Sequence, residues 1–182
     1  AENLVIEASK GGADIALLPE CMDFGWTHPS GISESEEIPG KFSDMLCKFS
    51  KKNKIYICAG LTEKSGNENY NTAILINSAG EIILKYRKIN VLEDAFPFYS
   101  IGQKLEVVNS KFGKIGINIC SDNYRDSIDN GFLLGRMGAD FILSPASWTV
   151  DHNVHESHDP YLNKWKEPYS IISNIFKIPV IS

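Results

Sequence analysis

Apolar residues come in short runs separated by polar, glycine- or proline-marked breaks, and the runs switch between helical and strand spacing. Residues 3–9 carry Leu4, Val5, Ile6 and Ala8 and close on Lys10-Gly11-Gly12, a helix with a glycine stop. Residues 13–18 are a short apolar strand ended by Pro19-Glu20, so the chain opens with a helix–strand step. Phe42, Met45, Leu46 and Phe49 stand at helical spacing and predict an amphipathic helix over 41–53. A strand over 55–61 follows, then a polar turn over 63–68. The runs 72–77 and 82–86, joined by Ser78-Ala79-Gly80-Glu81, read as a hairpin. Residues 105–108 and 114–120 form a second strand pair. Ile128, Phe132, Leu133 and Met137 then mark a helix that stops at Gly138, and a strand over 141–144 ends at Pro145. A helix over 161–176 presents Trp165, Tyr169, Ile172 and Phe176 on one face, and 179–182 reads as a strand cut short. Strands alternating with helices define an α/β protein.

Three stretches fit neither period. Residues 21–40 are a long loop holding Trp26, His28 and Pro29, with acidic Glu34, Glu36 and Glu37. Residues 91–102 are irregular and aromatic. Residues 151–160 place His152, His155 and His158 every third position among Asp151, Glu156 and Asp159, in a spacing that matches no metal-site pattern; a polar surface loop is the default reading.

Composition narrows the class only slightly. The 182 residues suffice for one domain with a sizeable core, and 43% hydrophobic with 23% charged residues is ordinary for a soluble globular protein. A net charge of −5 with no large basic cluster argues against nucleic acid as a partner. No run is long enough to span a membrane. Cys21, Cys47, Cys58 and Cys120 contain no CxxC pair, which predicts reduced thiols and a cytoplasmic location. The sequence opens on Ala1 inside a helix and closes inside a strand, so a piece lacking both ends is expected.

Candidate chemistry centres on the stretch KFGKIGINICSDNYR, residues 111–125. Ile115-Gly116-Ile117-Asn118-Ile119 reads as an interior strand, and Cys120 as its last residue. A buried cysteine is usually only a small hydrophobe. At the C-terminal end of a strand before a helix, however, a thiol meets free N–H groups and a positive dipole end, which favour the thiolate. Glu20 also follows a strand directly, as does Lys88 after Tyr86-Arg87. Three reactive groups that share one structural position can converge at one end of the sheets.

Taken together, the residues resemble the nitrilase superfamily, the carbon–nitrogen hydrolases. Gly12-Ala13-Asp14 through Pro19-Glu20, Tyr86-Arg87-Lys88, and Ile115-Gly116 through Cys120-Ser121-Asp122 match its three motifs in order, and Ser144-Pro145-Ala146 is similar to a later one. The resemblance implies a four-layer αββα sandwich, truncated at both ends here, in a protein that is usually dimeric. It implies catalytic Glu20, Lys88 and Cys120, a thioester on the cysteine, no cofactor or metal, and a small amide, nitrile or N-carbamoyl substrate with water. Three positions depart from the family pattern: Ser121 stands where an aromatic residue is common, Ala95 where a second glutamate is common, leaving Asp94 or Glu93 as its substitute, and Ser173 where another glutamate is common. Ser121, Asp94 and Trp148 are the candidate substrate-binding residues, with the pocket walls drawn from 24–28, 94–99 and 147–148.

Two other classes stay open from sequence. One is a hydrolase in which His152 or His155 activates Cys120, or in which the histidine cluster with His158 binds a metal. The other is a non-catalytic binding or dimerisation module.

Overall fold

Alternate residues along the strands pack into different cores, and this sets the layering. The structure, a computed structural model, describes residues 1–149, 152–154 and 162–182. In the first sheet β1 (Ile15–Leu17) runs parallel to β2 (Tyr56–Ser65), and β2, β3 (Glu68–Ile76) and β4 (Ile82–Arg87) form an antiparallel meander. In the second, β5 (Val107–Ser110) is antiparallel to β6 (Gly113–Ile117), and β6, β7 (Phe141–Leu143) and β8 (Val180–Ile181) are parallel. Parallel neighbours need long crossovers. Helix α4 (Asp129–Arg136) connects β6 to β7, and α5 (Leu162–Phe176) precedes β8.

Ile57, Ala59 and Leu61 of β2, with Ile74 and Ile76 of β3, turn outward to meet Val5 of α1 (Glu2–Lys10) and Leu46 of α3 (Lys41–Asn53). Tyr56, Cys58, Ala73 and Leu75, the intervening residues, turn inward onto Ile115, Ile117 and Leu143 of the second sheet. Ile142, one residue from Leu143, faces outward to Leu134 of α4 and Ile172 of α5. The order is therefore helix, sheet, sheet, helix, as expected. Because β2 and β3 are covered on both faces, their apolar runs are nearly continuous rather than alternating. Each fully buried isoleucine here stabilises the fold by about 1.5–3 kcal/mol.

Three local expectations are corrected. The polar stretch predicted as a turn over 63–68 is mostly strand: Thr62↔Asn71 through Ser65↔Glu68 continue the β2–β3 ladder. Its polarity serves an ion network in which the buried Glu63 accepts from Lys85 Nζ at 2.7 Å, Arg87 Nε at 2.8 Å and Thr72 Oγ1 at 2.8 Å. The loop over 21–40 contains a short helix, α2 (Ser30–Glu34). Strand β6 ends at Ile117 rather than at Cys120, which instead opens a 3-10 turn, Cys120–Asn123.

Candidate active site

Glu20 leaves the end of β1 over a glycine. A Cβ on Gly60 would lie 2.5 Å from Glu20 Cα and 2.8 Å from the Cys21 nitrogen, so only glycine lets β2 come this close. The carboxylate is buried at 2% exposure. Its Oε1 accepts from Lys88 Nζ at 2.6 Å and from Asn71 Nδ2 at 2.6 Å, and its Oε2 accepts from the Ser147 N–H at 3.1 Å. Lys88 follows β4, with its N–H donating to the Asn71 carbonyl at 2.8 Å and its own carbonyl accepting from Gly102 N–H at 2.8 Å. Gly102 is a second close approach: a Cβ there would sit 2.0 Å from the Arg87 carbonyl oxygen.

Cys120 adopts φ 42°, in the left-handed region. That costs a non-glycine residue about 1–2 kcal/mol and persists only where the surroundings fix it. The fixing comes from the buried Asp122, which accepts from Tyr86 Oη at 2.7 Å and from the N–H groups of Asn90 at 2.7 Å and Ile119 at 2.8 Å. The Cys120 N–H donates to the Pro145 carbonyl at 3.0 Å, and the Asn123 side chain donates to Ser144 Oγ at 2.8 Å. The segment after β7 thus touches both the cysteine turn and Glu20.

Glu20, Lys88 and Cys120 share one cavity of about 240 Å³, with Trp26, Leu92, Tyr124, Ser147, Trp148 and Thr149 as its other lining residues. A larger groove of about 640 Å³ runs between β4 and β5 and reaches none of the three. Burial, and then the charge of Glu20, push the Cys120 thiol up to about 12, so the free-thiolate state expected from the helix dipole is not what this environment favours. The neighbouring Lys88 and the Ser147 N–H only partly offset this. Burial also opposes the charge on Lys88, but Glu20 and Cys120 outweigh it and raise its pKa above the usual lysine value. A thiol held protonated in this way can act as a nucleophile only by giving its proton to a neighbour as it reacts.

Of the candidate substrate-binding residues, Trp148 lines the cavity, edge-on to Tyr124 at 5.6 Å. Ser121 does not; it is buried, its hydroxyl donating to the Asn90 carbonyl at 2.8 Å. Asp94 and Glu93 are exposed in a 3-10 turn and are not among the lining residues. Of residues 94–99 none lines the cavity; Ala95, Phe98 and Tyr99 cluster with Trp26, which does, and Tyr99 Oη accepts the Thr27 N–H at 3.1 Å, while Leu92 is a lining residue. Tyr124 and Asn71 went unassigned from sequence, since an isolated tyrosine after a turn and an asparagine at a strand margin carry no local signal. His152 is exposed in a turn, and His155 and His158 lie outside the described residues. Among the described residues no group of three His, Cys, Asp or Glu could hold a metal ion.

Two sheets lie between helices, with a carboxylate, an ammonium and a thiol brought together at one end, and the family follows from comparison. The family model described as Carbon-nitrogen hydrolase matches residues 1–164, and the chain belongs to this family. The Nitrilase of Pyrococcus abyssi (strain GE5 / Orsay) is 34% identical over 157 residues, 84% of this chain and 59% of its own length. Omega-amidase NIT2 of Danio rerio is 30% identical over 132 residues, 67% of this chain and 48% of its own. The chain spans about half the length of the curated relatives it matches. The carbon-nitrogen hydrolase of Helicobacter pylori G27 has the same fold, with a TM-score of 0.84 at 18% identity over 98% of this chain and 64% of that one.

Proposed function

We propose that the protein hydrolyses a non-peptide carbon–nitrogen bond, foremost that of a small amide, through a thioester on Cys120. The observation that carries this reading is the shared cavity of Glu20, Lys88 and Cys120, with Lys88 Nζ 2.6 Å from Glu20 Oε1. Glu20 takes the thiol proton as the sulfur attacks the carbonyl carbon. The resulting oxyanion is held by the Lys88 ammonium and by the Ser121 N–H, which the first turn of the 3-10 segment leaves without a partner inside that turn. Protonated Glu20 returns the proton to the departing nitrogen, and ammonia or an amine leaves. Glu20 then deprotonates a water, which cleaves the thioester to the free acid and restores the thiol. Nitriles and N-carbamoyl compounds present the same electrophilic carbon and are the neighbouring substrate classes. A homodimer in a reducing, cytoplasmic setting goes with this reading, and the four free cysteines fit such a setting.

The test is ammonia release from a panel of amides, nitriles and N-carbamoyl compounds. Cys120→Ala is expected to abolish release, and intact-mass analysis of the wild-type protein with substrate is expected to find one acyl adduct on Cys120. Undiminished turnover by the alanine variant would overturn the reading. A hydrolase in which His152 or His155 activates Cys120, or in which the cluster with His158 binds a metal, predicts instead loss of turnover on triple His→Ala substitution or on treatment with a chelator.

A further inference from the structure

The two oxygens of Glu20 are not equivalent. Oε1 carries both strong donors, Lys88 Nζ and Asn71 Nδ2, each at 2.6 Å. Oε2 accepts the longer bond from the Ser147 N–H at 3.1 Å; the same N–H also reaches the Cys120 sulfur, and the thiol itself hydrogen-bonds the Glu20 carboxylate, so Oε2 lies on the thiol side. Asn71 is buried at 1% exposure, and its Oδ1 is enclosed without a hydrogen-bond partner. Turning the amide over would set that oxygen against the carboxylate, so the donor must face Glu20 at the expense of an unsatisfied acceptor. Such a group in a native core calls for an explanation. The main chain of Asn71 also accepts the Lys88 N–H at 2.8 Å, so one residue fixes both members of the buried ion pair.

We propose that Asn71 is a positioning residue that saturates Oε1 of Glu20 and leaves Oε2 as the oxygen that exchanges protons with Cys120. The inference rests on the hydrolase reading above. Without the Asn71 donor the carboxylate can rotate, and its charged form loses a hydrogen bond.

The experiment is site-resolved alkylation of Cys120 by iodoacetamide across pH, read by peptide mass spectrometry, for wild type, Asn71→Leu and Asn71→Asp. The near-isosteric aspartate covers the case in which leucine fails to fold. In the variants the alkylation rate at pH 7 is expected to fall about 10-fold, and the midpoint of the acid limb of the pH profile to rise by about one unit. On any substrate that turns over, kcat falls with KM nearly unchanged. A purely structural role would lower the folded fraction without moving the pH midpoint. Unchanged pH profiles in both variants, with Cys120 reactive in the wild type, would overturn the role of Asn71 alone. Absence of an acyl adduct on wild-type Cys120 across the substrate panel would instead overturn the hydrolase reading.

Discussion

The buried Glu20–Lys88 pair is where stability and chemistry meet most directly. Both side chains are nearly inaccessible, at 2% and 3% exposure, so neither charge is tolerable without the other. Lys88→Met removes the proposed oxyanion donor and strands a carboxylate; turnover is expected to fall by at least about 10²–10³, and urea unfolding to register a loss of about 3–5 kcal/mol. Cys120→Ala separates the two effects, because it removes the proposed nucleophile but leaves the pair intact. If Lys88→Met unfolded at the wild-type urea midpoint, the pair would not be a desolvated one. The thiol belongs to the same arrangement: burial and Glu20 hold it protonated, so the carboxylate that suppresses its ionisation at rest is also placed to accept its proton.

At the level of elements, the site depends on backbones approaching where side chains would prevent it. The segment after β1 rests on Gly60 of β2, and the end of β4 at Arg87 rests on Gly102. In Gly60→Ala the new methyl meets backbone atoms at 2.5–2.8 Å rather than a flexible side chain, so the Glu20 segment must move. About 1–3 kcal/mol of stability and at least 10-fold of activity are expected to be lost, measured by thermal melting and by turnover. Gly12→Ala is the contrasting variant, since a Cβ there meets nothing within 4 Å and only its φ of 84° opposes the change. Its activity per folded molecule is expected to match wild type. A Gly60→Ala protein as active as Gly12→Ala would refute the contact. The polar end of the β2–β3 hairpin illustrates a related point: Glu63 keeps its strand conformation because Arg87 and Lys85 satisfy it from β4, across β3.

For the whole molecule, the layering buries thiols and phenols that would ionise freely in an unfolded chain. Cys21 and Cys120 are pushed from 9.0 up to about 12, and Cys58, Tyr86 and Tyr99 are raised as well, all chiefly by burial. Below pH 9 the thiols are protonated in both states, and their contribution to stability is fully present. Between about pH 9 and 12 the unfolded chain releases protons that the fold retains, so stability falls as pH rises. The slope is up to about 1.4 kcal/mol per pH unit for each thiol. Melting temperature is expected to drop steadily from about pH 9 to 11, and Cys58→Ala to reduce the drop by one thiol's share. A flat melting temperature across that window would mean that the thiols ionise within the native state.

The helices over 41–53 and 161–176, the hairpin through residue 80 and the strand at 55–61 were legible because their side chains follow the period of the surface they bury, and that period is a local property. Glu20, Lys88 and Cys120 were legible as strand-end polar residues, and the family resemblance joined them. The extension of β2 through Ser65 was not, because Thr62, Glu63 and Lys64 read as a turn until their partners on β3 and β4 are in place. Nor was the ending of β6 at Ile117, since the φ of Cys120 is imposed by Asp122 and Pro145 rather than by its neighbours in sequence. The sequence by itself thus determined the element types, the class of fold and the chemical identity of the reactive groups. Only the tertiary structure decided which oxygen of Glu20 is occupied, that Asn71 stands behind it, that Tyr124 and Leu92 rather than Ser121 and Asp94 line the cavity, and that the thiol rests protonated. Periodicity is written along the chain, whereas hydrogen bonding and desolvation depend on residues brought together from distant positions.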